Sequence, residues 1–563
     1  MKPLSERGEV NMAQYTIGIE FGKTGCRSIL ADIADGHEVA CATAEYPTGV
    51  MTKNFFTGQP LPNNWAIAKP GDYIDVIADT VNELTENVQI SDIIGIGLAF
   101  SSCCILPVKS DGTPLCYLPQ FKNNPHAYIK VTRHRSALSQ TKHIAELSAL
   151  TDEPWAKLSR NSASPEWLLP KVLETLEEAP DVYAAADFFM EATDWLIWQL
   201  TGNPVRNSFS TSFKAQISEL GEPSDSFLEK LNPHLKGLYK TKLNLPIASP
   251  VTCAGGVTPA MAALLGVKPG TPVAVGGVDV LTCIPAVKMY RPGGLVNIMG
   301  NTSILLTLSE KTTLPDGIAR GVKGSIIPGL YTYKSNQPCM GDNYAWFLAS
   351  YLSPQYHTAA KAEGRNLHSY VAQLMMKLAP GENGIIAVNW HRGSNTPIND
   401  KKLSSVFVGM DINTKPEHLY RAIIEGMAFD TRVIIDEYRR DGIEINQFCG
   451  VGNIAERNPF IMQVYSDILN MPVSVAGTSK SSALGAAIIA SVIGGGYKSL
   501  DEASENMGKI KDKKYLPNSE AVKVYDRMYE EYKHLCRLFA LENSDIMYNL
   551  KDIKADACNN KNN

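Results

Sequence analysis

Two rhythms of apolar and polar positions alternate along the chain. Tyr15-Thr-Ile-Gly-Ile-Glu-Phe-Gly reads as a strand entering a glycine turn, and Lys23-Thr-Gly-Cys-Arg-Ser-Ile-Leu-Ala-Asp-Ile continues as a second strand. Together they predict a β-hairpin with an open, glycine-bearing tip. Between Asp72 and Glu86 the spacing becomes helical, through Tyr73, Val76, Ile77, Val81 and Leu84. Ile93-Ile-Gly-Ile-Gly-Leu-Ala-Phe then reads as a buried strand ending in Ser101-Ser102-Cys103-Cys104. Strand, helix, strand is the grammar of an α/β protein.

The same grammar continues downstream. Glu191-Ala-Thr-Asp194-Trp195 opens a compact helix that Thr193 or Asp194 can cap and Gly202 can end; Lys214 follows in a polar loop. Proline and glycine cluster just before residue 270, which places a domain boundary there. Gly294-Leu-Val-Asn-Ile-Met-Gly300-Asn301-Thr302-Ser303 repeats the opening layout of strand, polar turn and strand without repeating its sequence. Thr414-Lys-Pro416-Glu417 forms a capping box for a helix running to about Arg440 and stopping at Gly442. Gln447-Phe-Cys-Gly450-Val-Gly452-Asn453 is a strand with a glycine turn, and a helix follows from Asn458. Ser481-Ser-Ala-Leu-Gly-Ala-Ala is a helix whose small face lets another backbone or a flat ring approach closely. The expected organisation is an extension at 1–14, a first domain at 15–270, a second with a helical tail at 271–550, and a disordered tail at 551–563.

Composition narrows the function classes. The 563 residues carry 53 Lys+Arg against 58 Asp+Glu, a formal net charge of −5, which argues against nucleic acid or an anionic membrane surface as a partner. No apolar run reaches the length of a membrane span, and the first fourteen residues lack a signal core. Eleven cysteines without a CxxC pair fit reduced thiols in a cytoplasm.

One stretch carries the candidate chemistry. Val273-Ala274-Val275-Gly276-Gly277-Val278 delivers Asp279 to the end of a buried strand, where ligands of open α/β sheets bind. Asp279 is there either a general base or the cap of the next helix. The exposed backbone N–H groups of a hairpin tip can hold phosphate oxygens, and two such tips would grip a nucleotide from both sides.

The ordered set Gly18-Ile-Glu-Phe-Gly, Ala254 to Asp279, Gly300-Asn-Thr-Ser and Gly452-Asn-Ile-Ala-Glu-Arg-Asn resembles the FGGY sugar kinases, and most closely their ribulokinase branch. Leu106-Pro-Val, Asn124-Pro-His, Glu191-Ala-Thr-Asp-Trp, Gly341-Asp-Asn-Tyr-Ala-Trp, Ile461-Met-Gln and Ala483-Leu-Gly-Ala-Ala extend the resemblance from about Tyr15 to Tyr548. It implies an α/β, two-domain actin/hexokinase-like (ribonuclease H-like) fold with an interdomain cleft. It also implies transfer of the ATP γ-phosphoryl to a sugar hydroxyl, of L-ribulose or a related ketopentose or sugar acid, with Asp279 accepting the hydroxyl proton. Phosphate and nucleotide contacts fall on Glu20, Gly22, Lys23, Thr24, Gly300, Asn301, Thr302, Gly452, Asn453 and Asn458. Sugar contacts fall on Ser102, Thr132, Lys214, Asp279 and Lys334. The cofactors implied are ATP and Mg²⁺, the latter oriented by Glu20 through water. The expected partners are a small-molecule sugar and ATP, and a homodimer is compatible with the chain.

Several positions depart from that pattern. Glu20 stands where the family has Asp, Lys23 where it has Thr or Ser, and Asn453 where it has Gly. The Gly-Thr-Ser of the second loop reads Gly300-Asn301-Thr302. On the sugar side Thr132 replaces a tryptophan, Ala99 an aspartate and Lys334 a glutamate, and Gly-Gln-Ser reads Asn336-Gln337-Pro338. The Lys334 reversal suggests an anionic acceptor. The departures together support a second reading, a nucleotide-binding homologue with weak or no catalysis that acts as a sensor or partner.

Overall fold

The computed structural model describes residues 14–158, 163–217, 221–315, 317–318 and 321–559. The expected extension falls outside these residues, apart from position 14. The chain divides into two compact units. The first comprises Met1–Tyr290, Val322–Tyr331 and Lys480–Lys509; the second comprises Arg291–Gly321, Thr332–Ser479 and Ile510–Asn563.

The first unit is built on β1 (Tyr15–Phe21), β2 (Gly25–Asp32), β3 (Glu38–Glu45), β4 (Ile93–Phe100), β5 (Cys253–Gly256), β6 (Pro272–Ala274) and β7 (Gly277–Val278). They form one sheet in the order β5-β6-β4-β1-β2-β3, with β7 also on β4. β1, β2 and β3 make an antiparallel meander, while β1, β6 and β7 run parallel to β4. Sheets with parallel strands need cover on both faces. Ile17, Ile19, Ile96 and Leu98 are accordingly buried. The helix Pro70–Thr85 carries one face, with Thr80 Oγ1 2.8 Å from Ser28 Oγ on β2. The helix Ser481–Ile493 lies on β1 and β4 so closely that Gly18 and Gly97 have no room for a Cβ against the Ala483 and Ala486 carbonyls. Its small face therefore meets strand backbone, the first of the two options its composition offered.

The second unit repeats this plan. β8 (Gly293–Met299), β9 (Ser303–Ser309), β10 (Tyr331–Gln337), β11 (Ile445–Val451) and β12 (Val473–Val475) follow the order β10-β9-β8-β11-β12. β8 and β9 are antiparallel, and β8, β11 and β12 are parallel. The recurrence of layout read from residues 294–308 is thus a recurrence of sheet order.

Four local expectations change. The division comes at 290/291 rather than near 270, because β6 and β7 pair with β4 and draw everything up to Asp279 into the first sheet. Glycine and proline at 266–272 mark a turn inside a unit. Ser544–Asn559 is helical, so the expected tail at 551–563 is ordered helix through 559, and residues 560–563 lie outside the described residues. This helix is tied to the body of the second unit by Lys551, whose Nζ donates to the carbonyls of Lys401 and Leu403, each at 3.0 Å. Asp194 does not cap its helix: Glu191 is the N-cap residue, and Asp194 is buried in the first turn, accepting from the Asn207 backbone N–H at 3.2 Å. Burial pushes its carboxyl up to about 7. The long helix is Pro416–Arg440, capped at Lys415 rather than Thr414.

Candidate functional site

In the first unit the site is made by parallel strands ending side by side. β1, β4 and β7 run the same way, with Glu20 opposite Ala99 and Val278 opposite Phe100 in register. The residues that follow, Ser101 and Asp279, emerge together, and the Ser101 hydroxyl donates to Asp279 Oδ2 at 3.0 Å. Gly276, at φ 77°, permits the turn that carries the chain to Asp279; a Cβ there would strike Ile197. Asp279 is the first residue of the helix Asp279–Ala286, the N-cap being Val278. Its Oδ1 accepts from the adjacent Val280 N–H at 2.7 Å, one residue on, where a capping side chain would reach two or three.

Glu20 sits close enough to feel this carboxylate. Burial and the Asp279 charge push the Glu20 carboxyl above its usual range, against the pull of Arg27 and a hydrogen bond from Ser482. The Arg27 guanidinium is 3.8 Å away. Two carboxylates held near one another make a niche that favours a cation. Among the described residues no group of three or more His, Cys, Asp or Glu side chains could hold a metal, so a metal here would draw its remaining ligands from phosphate and water.

The β1–β2 tip holds Gly22, Lys23 and Thr24 exposed. The Gly22 N–H donates to Gly25 O at 2.8 Å, and Tyr46 OH donates to Gly22 O at 3.0 Å, which fixes the tip. Behind it opens a cavity of about 590 Å³, whose walls include Lys23, Thr24, Ser101, Cys104, Thr132 and Arg133. Ser102 and Thr132 are joined, the Thr132 hydroxyl donating to Ser102 O at 2.7 Å. Lys214 ends the short helix Ser208–Lys214 instead of lying in a loop, and its ammonium stacks over the Trp167 ring at 5.2 Å.

The turn after β4 is held from beneath by buried charge. Cys103 adopts φ 70°. Its N–H and that of Cys104 donate to the two oxygens of buried Glu191, at 3.0 and 2.8 Å. Buried Lys171 donates to the carbonyls of Cys103, Lys130 and Val131, at 2.6, 3.0 and 2.9 Å. The strap carrying Thr132 is pinned in turn by Lys130, which bonds Glu174 at 2.6 Å and Thr175 at 2.7 Å, and by His134, 2.9 Å from Glu174.

In the second unit the β8–β9 tip is Gly300-Asn301-Thr302, where the Gly300 N–H donates to Thr302 O at 3.0 Å, much as Gly22 does at the other tip. The Gly341 N–H donates to Gly300 O at 3.0 Å, and Gly452, at φ 97°, packs on Met299, so these three glycines converge. Gly452 alone supplies the left-handed turn; Asn453 begins the helix Asn453–Arg457 and needs no positive φ. The Asn458 amide is engaged within the protein, accepting at Oδ1 from His368 Nε2 at 2.5 Å and donating to Ile454 O at 2.9 Å. Beside it lies a cavity of about 340 Å³ walled by Arg365, His368, Met376, Arg457, Asn458 and Phe460. Lys334 is half-buried on β10.

Residues 295–493 match the C-terminal domain of the FGGY family of carbohydrate kinases. The ribulokinase of Bacillus licheniformis is 38% identical over 94% of this chain and 97% of its own length. The chain belongs to the FGGY family of carbohydrate kinases. The ribulokinase of Mycolicibacterium smegmatis is 34% identical over 97% of each chain. Among solved structures, the xylulose kinase of Rhodospirillum rubrum superposes with a TM-score of 0.77 at 22% identity, over 93% of this chain and 99% of its own. The glycerol kinase of Plasmodium falciparum with ADP gives 0.74 at 19%, over 94% and 98%. These share the two-domain actin-like fold. This FGGY kinase is an ATP-dependent sugar phosphotransferase, and the reading as a catalytically silent homologue is not favoured.

Sequence reasoning about the kinase did not single out Ser101, Ser482, Lys171 or Glu191. The signal for Ser101 was present but unreadable: it follows Phe100 as Asp279 follows Val278, and only the strand register sets the two side by side. No described helix of the kinase is long and apolar enough to cross a membrane.

The buried strap makes the kinase acid-sensitive. Burial, chiefly, holds the His134 imidazole down to about 4. The neutral ring accepts from the Ala66 N–H at Nδ1 and donates to Glu174 at Nε2. In the unfolded chain the ring titrates near pH 6.5. Its contribution is therefore complete above about pH 6.5 and is lost as pH falls toward 4, because only the unfolded state takes up the proton. Urea denaturation should show about 2 kcal/mol less stability at pH 5 than at pH 7 from this group. His134→Gln should flatten that dependence.

Proposed function

We propose that the kinase transfers the γ-phosphoryl of ATP to a hydroxyl of an open-chain ketose of the ribulose kind. The hydrogen bond from Ser101 to Asp279 Oδ2, at 3.0 Å beside the 590 Å³ cavity, carries this reading. The full-length similarity to proteins named ribulokinase supports the ketose. Asp279 is the general base: the acceptor hydroxyl enters the cavity, gives its proton to the carboxylate and attacks the γ-phosphorus as the bond to ADP loosens. Ser101 fixes the carboxylate rotamer. Ser102, Thr132 and Lys214 are assigned to the acceptor, and Lys334 is carried forward as a reader of the acceptor on the resemblance alone.

Two tips of one design, one in each unit, are assigned to the phosphates: Gly22, Lys23 and Thr24 in the first, Gly300, Asn301 and Thr302 in the second. Gly452, Asn453 and Asn458, the last of them lining the 340 Å³ cavity, are assigned to the nucleoside. Mg²⁺ would arrive on the phosphates and be held by Glu20 through water, neutralising charge on the transferring group. We place the reaction in the cytoplasm, with no nucleic acid or membrane as partner.

Coupled measurement of ADP release across a panel of ketopentoses, aldoses and sugar acids tests the reading. Release with a ketose and little with aldoses is expected; no sugar-dependent release with any of them would defeat it. Lys23→Met should raise the KM for ATP about tenfold, the size of one exposed charge contact on phosphate, with the acceptor KM within a factor of two.

A further inference from the structure

Tyr46, the residue that follows β3, holds the β1–β2 tip at two points. Its backbone N–H donates to Thr24 O at 2.9 Å, and its phenol donates to Gly22 O at 3.0 Å. Burial holds the phenol well above its usual range, so it stays a donor. A third bond, from the Gly22 N–H to Gly25 O at 2.8 Å, closes the turn. Gly22, Lys23 and Thr24 themselves are exposed.

The aromatic cluster beneath the tip gives the phenol its place. Tyr46 is buried, and its ring meets that of Tyr73 edge-on with centroids 5.0 Å apart. Tyr73 in turn lies 5.8 Å from Phe21 and 5.1 Å from Phe100. Phe21 is the last residue of β1 before the tip, and Phe100 the last of β4 before Ser101. The Tyr46 ring is therefore seated on the strand ends that carry the tip and the partner of Asp279.

A trans peptide points its C=O and its N–H in opposite directions. The phenol bond on Gly22 O thus turns the Lys23 N–H away from the aromatic cluster, and the bond on Thr24 O sets the Thr24–Gly25 plane. An exposed glycine-bearing turn without those bonds would sample several orientations of both planes. Donors fixed in advance need no reorganisation when charge arrives.

We infer that Tyr46 is a positioning residue for phosphoryl transfer, fixing the peptide planes of the β1–β2 tip so that their N–H groups are set for the nucleotide phosphates before ATP binds. This rests on the assignment of that tip to phosphate, and adds to it a residue that lies outside the tip.

Tyr46→Phe is the test, because it keeps the ring and removes one hydrogen bond. The vacated Gly22 carbonyl is exposed and water can serve it, so the unfolding temperature should stay within about 3 °C of the parent. Calorimetric titration compares parent and variant with a non-hydrolysable ATP analogue and with adenosine. The variant should bind the analogue about fivefold more weakly, the size of one hydrogen bond, and adenosine within a factor of two. The KM for ATP should rise in step. The ring that lines the 590 Å³ cavity is retained, so the acceptor KM should stay within twofold. Parent affinity for both nucleotide ligands in the variant overturns the inference. So does an equal loss for both, which would show a general loosening of the unit and no action on the phosphates. A parent that binds the analogue no more tightly than adenosine would defeat the phosphate assignment itself, and the inference with it.

Discussion

Asp279→Asn is expected to lower kcat by about a thousandfold, within the range a positioned general base contributes. The affinity for ATP should stay within about twofold, because the side chain bonds Ser101 and the adjacent Val280 N–H and is part of neither phosphate tip. The amide keeps the shape of the carboxylate and can still pair with the Ser101 oxygen, so the variant should unfold at nearly the parent temperature. It cannot accept the acceptor's proton. Burst and steady-state assays with a ketose, alongside titration of a nucleotide analogue, separate loss of chemistry from loss of binding. A variant that keeps a tenth of the parent kcat would mean the proton leaves by another route and Asp279 does no more than order its helix.

Glu174→Ala carries the largest expected stability effect. Glu174 is fully buried and joined to Lys130, itself about 2% exposed, at 2.6 Å. Burial alone would raise the carboxyl, yet Lys130 and His134 outweigh it and hold Glu174 well below the usual carboxylate range. Removing one partner of a buried pair leaves the other charged and unsolvated, which costs about 3–5 kcal/mol. The loss should appear in the denaturant midpoint and in a fall of acceptor affinity, because the strap pinned by Lys130 ends in the cavity wall at Val131, Thr132 and Arg133. Lys130→Met in the same background should restore much of the stability by removing the stranded ammonium. If the double variant is no more stable than the single, desolvation of Lys130 is not what the pair offsets.

Much of this kinase could be read from its residues, and the exceptions share a cause. The Val273–Val278 run with its two glycines declared a buried strand and a tight turn, and Asp279 emerges at the end of β7 as that pattern implied. The two hairpins were readable because a polar, glycine-bearing tip between apolar strands is a local signal. Everything that depends on strand pairing was hidden. Proline and glycine near 270 looked like a boundary because they mark turns whether or not the units change there. Ser101 could not be placed against Asp279 without the register of β7 on β4. The Glu20 and Ala99 departures read as two unrelated oddities along the chain. They face each other across β1 and β4, where a carboxylate shifted outward by one methylene stands against a position left small. Asn453 stands where the family has glycine, yet the left-handed residue of that turn is its neighbour Gly452, which only the backbone angles reveal.

The cover helix Ser481–Ile493 has a consequence for how the kinase comes off the ribosome. The strands it shields, β1 and β4, are made early, but their glycine-studded face stays bare until the last part of the chain has been synthesised. The first unit therefore cannot mature as translation proceeds, and must wait with apolar surface open to chaperones or to other nascent chains. A gene fragment stopping at Tyr290 should accumulate as inclusion bodies, and supplying Lys480–Lys509 on a linker should bring it into the supernatant.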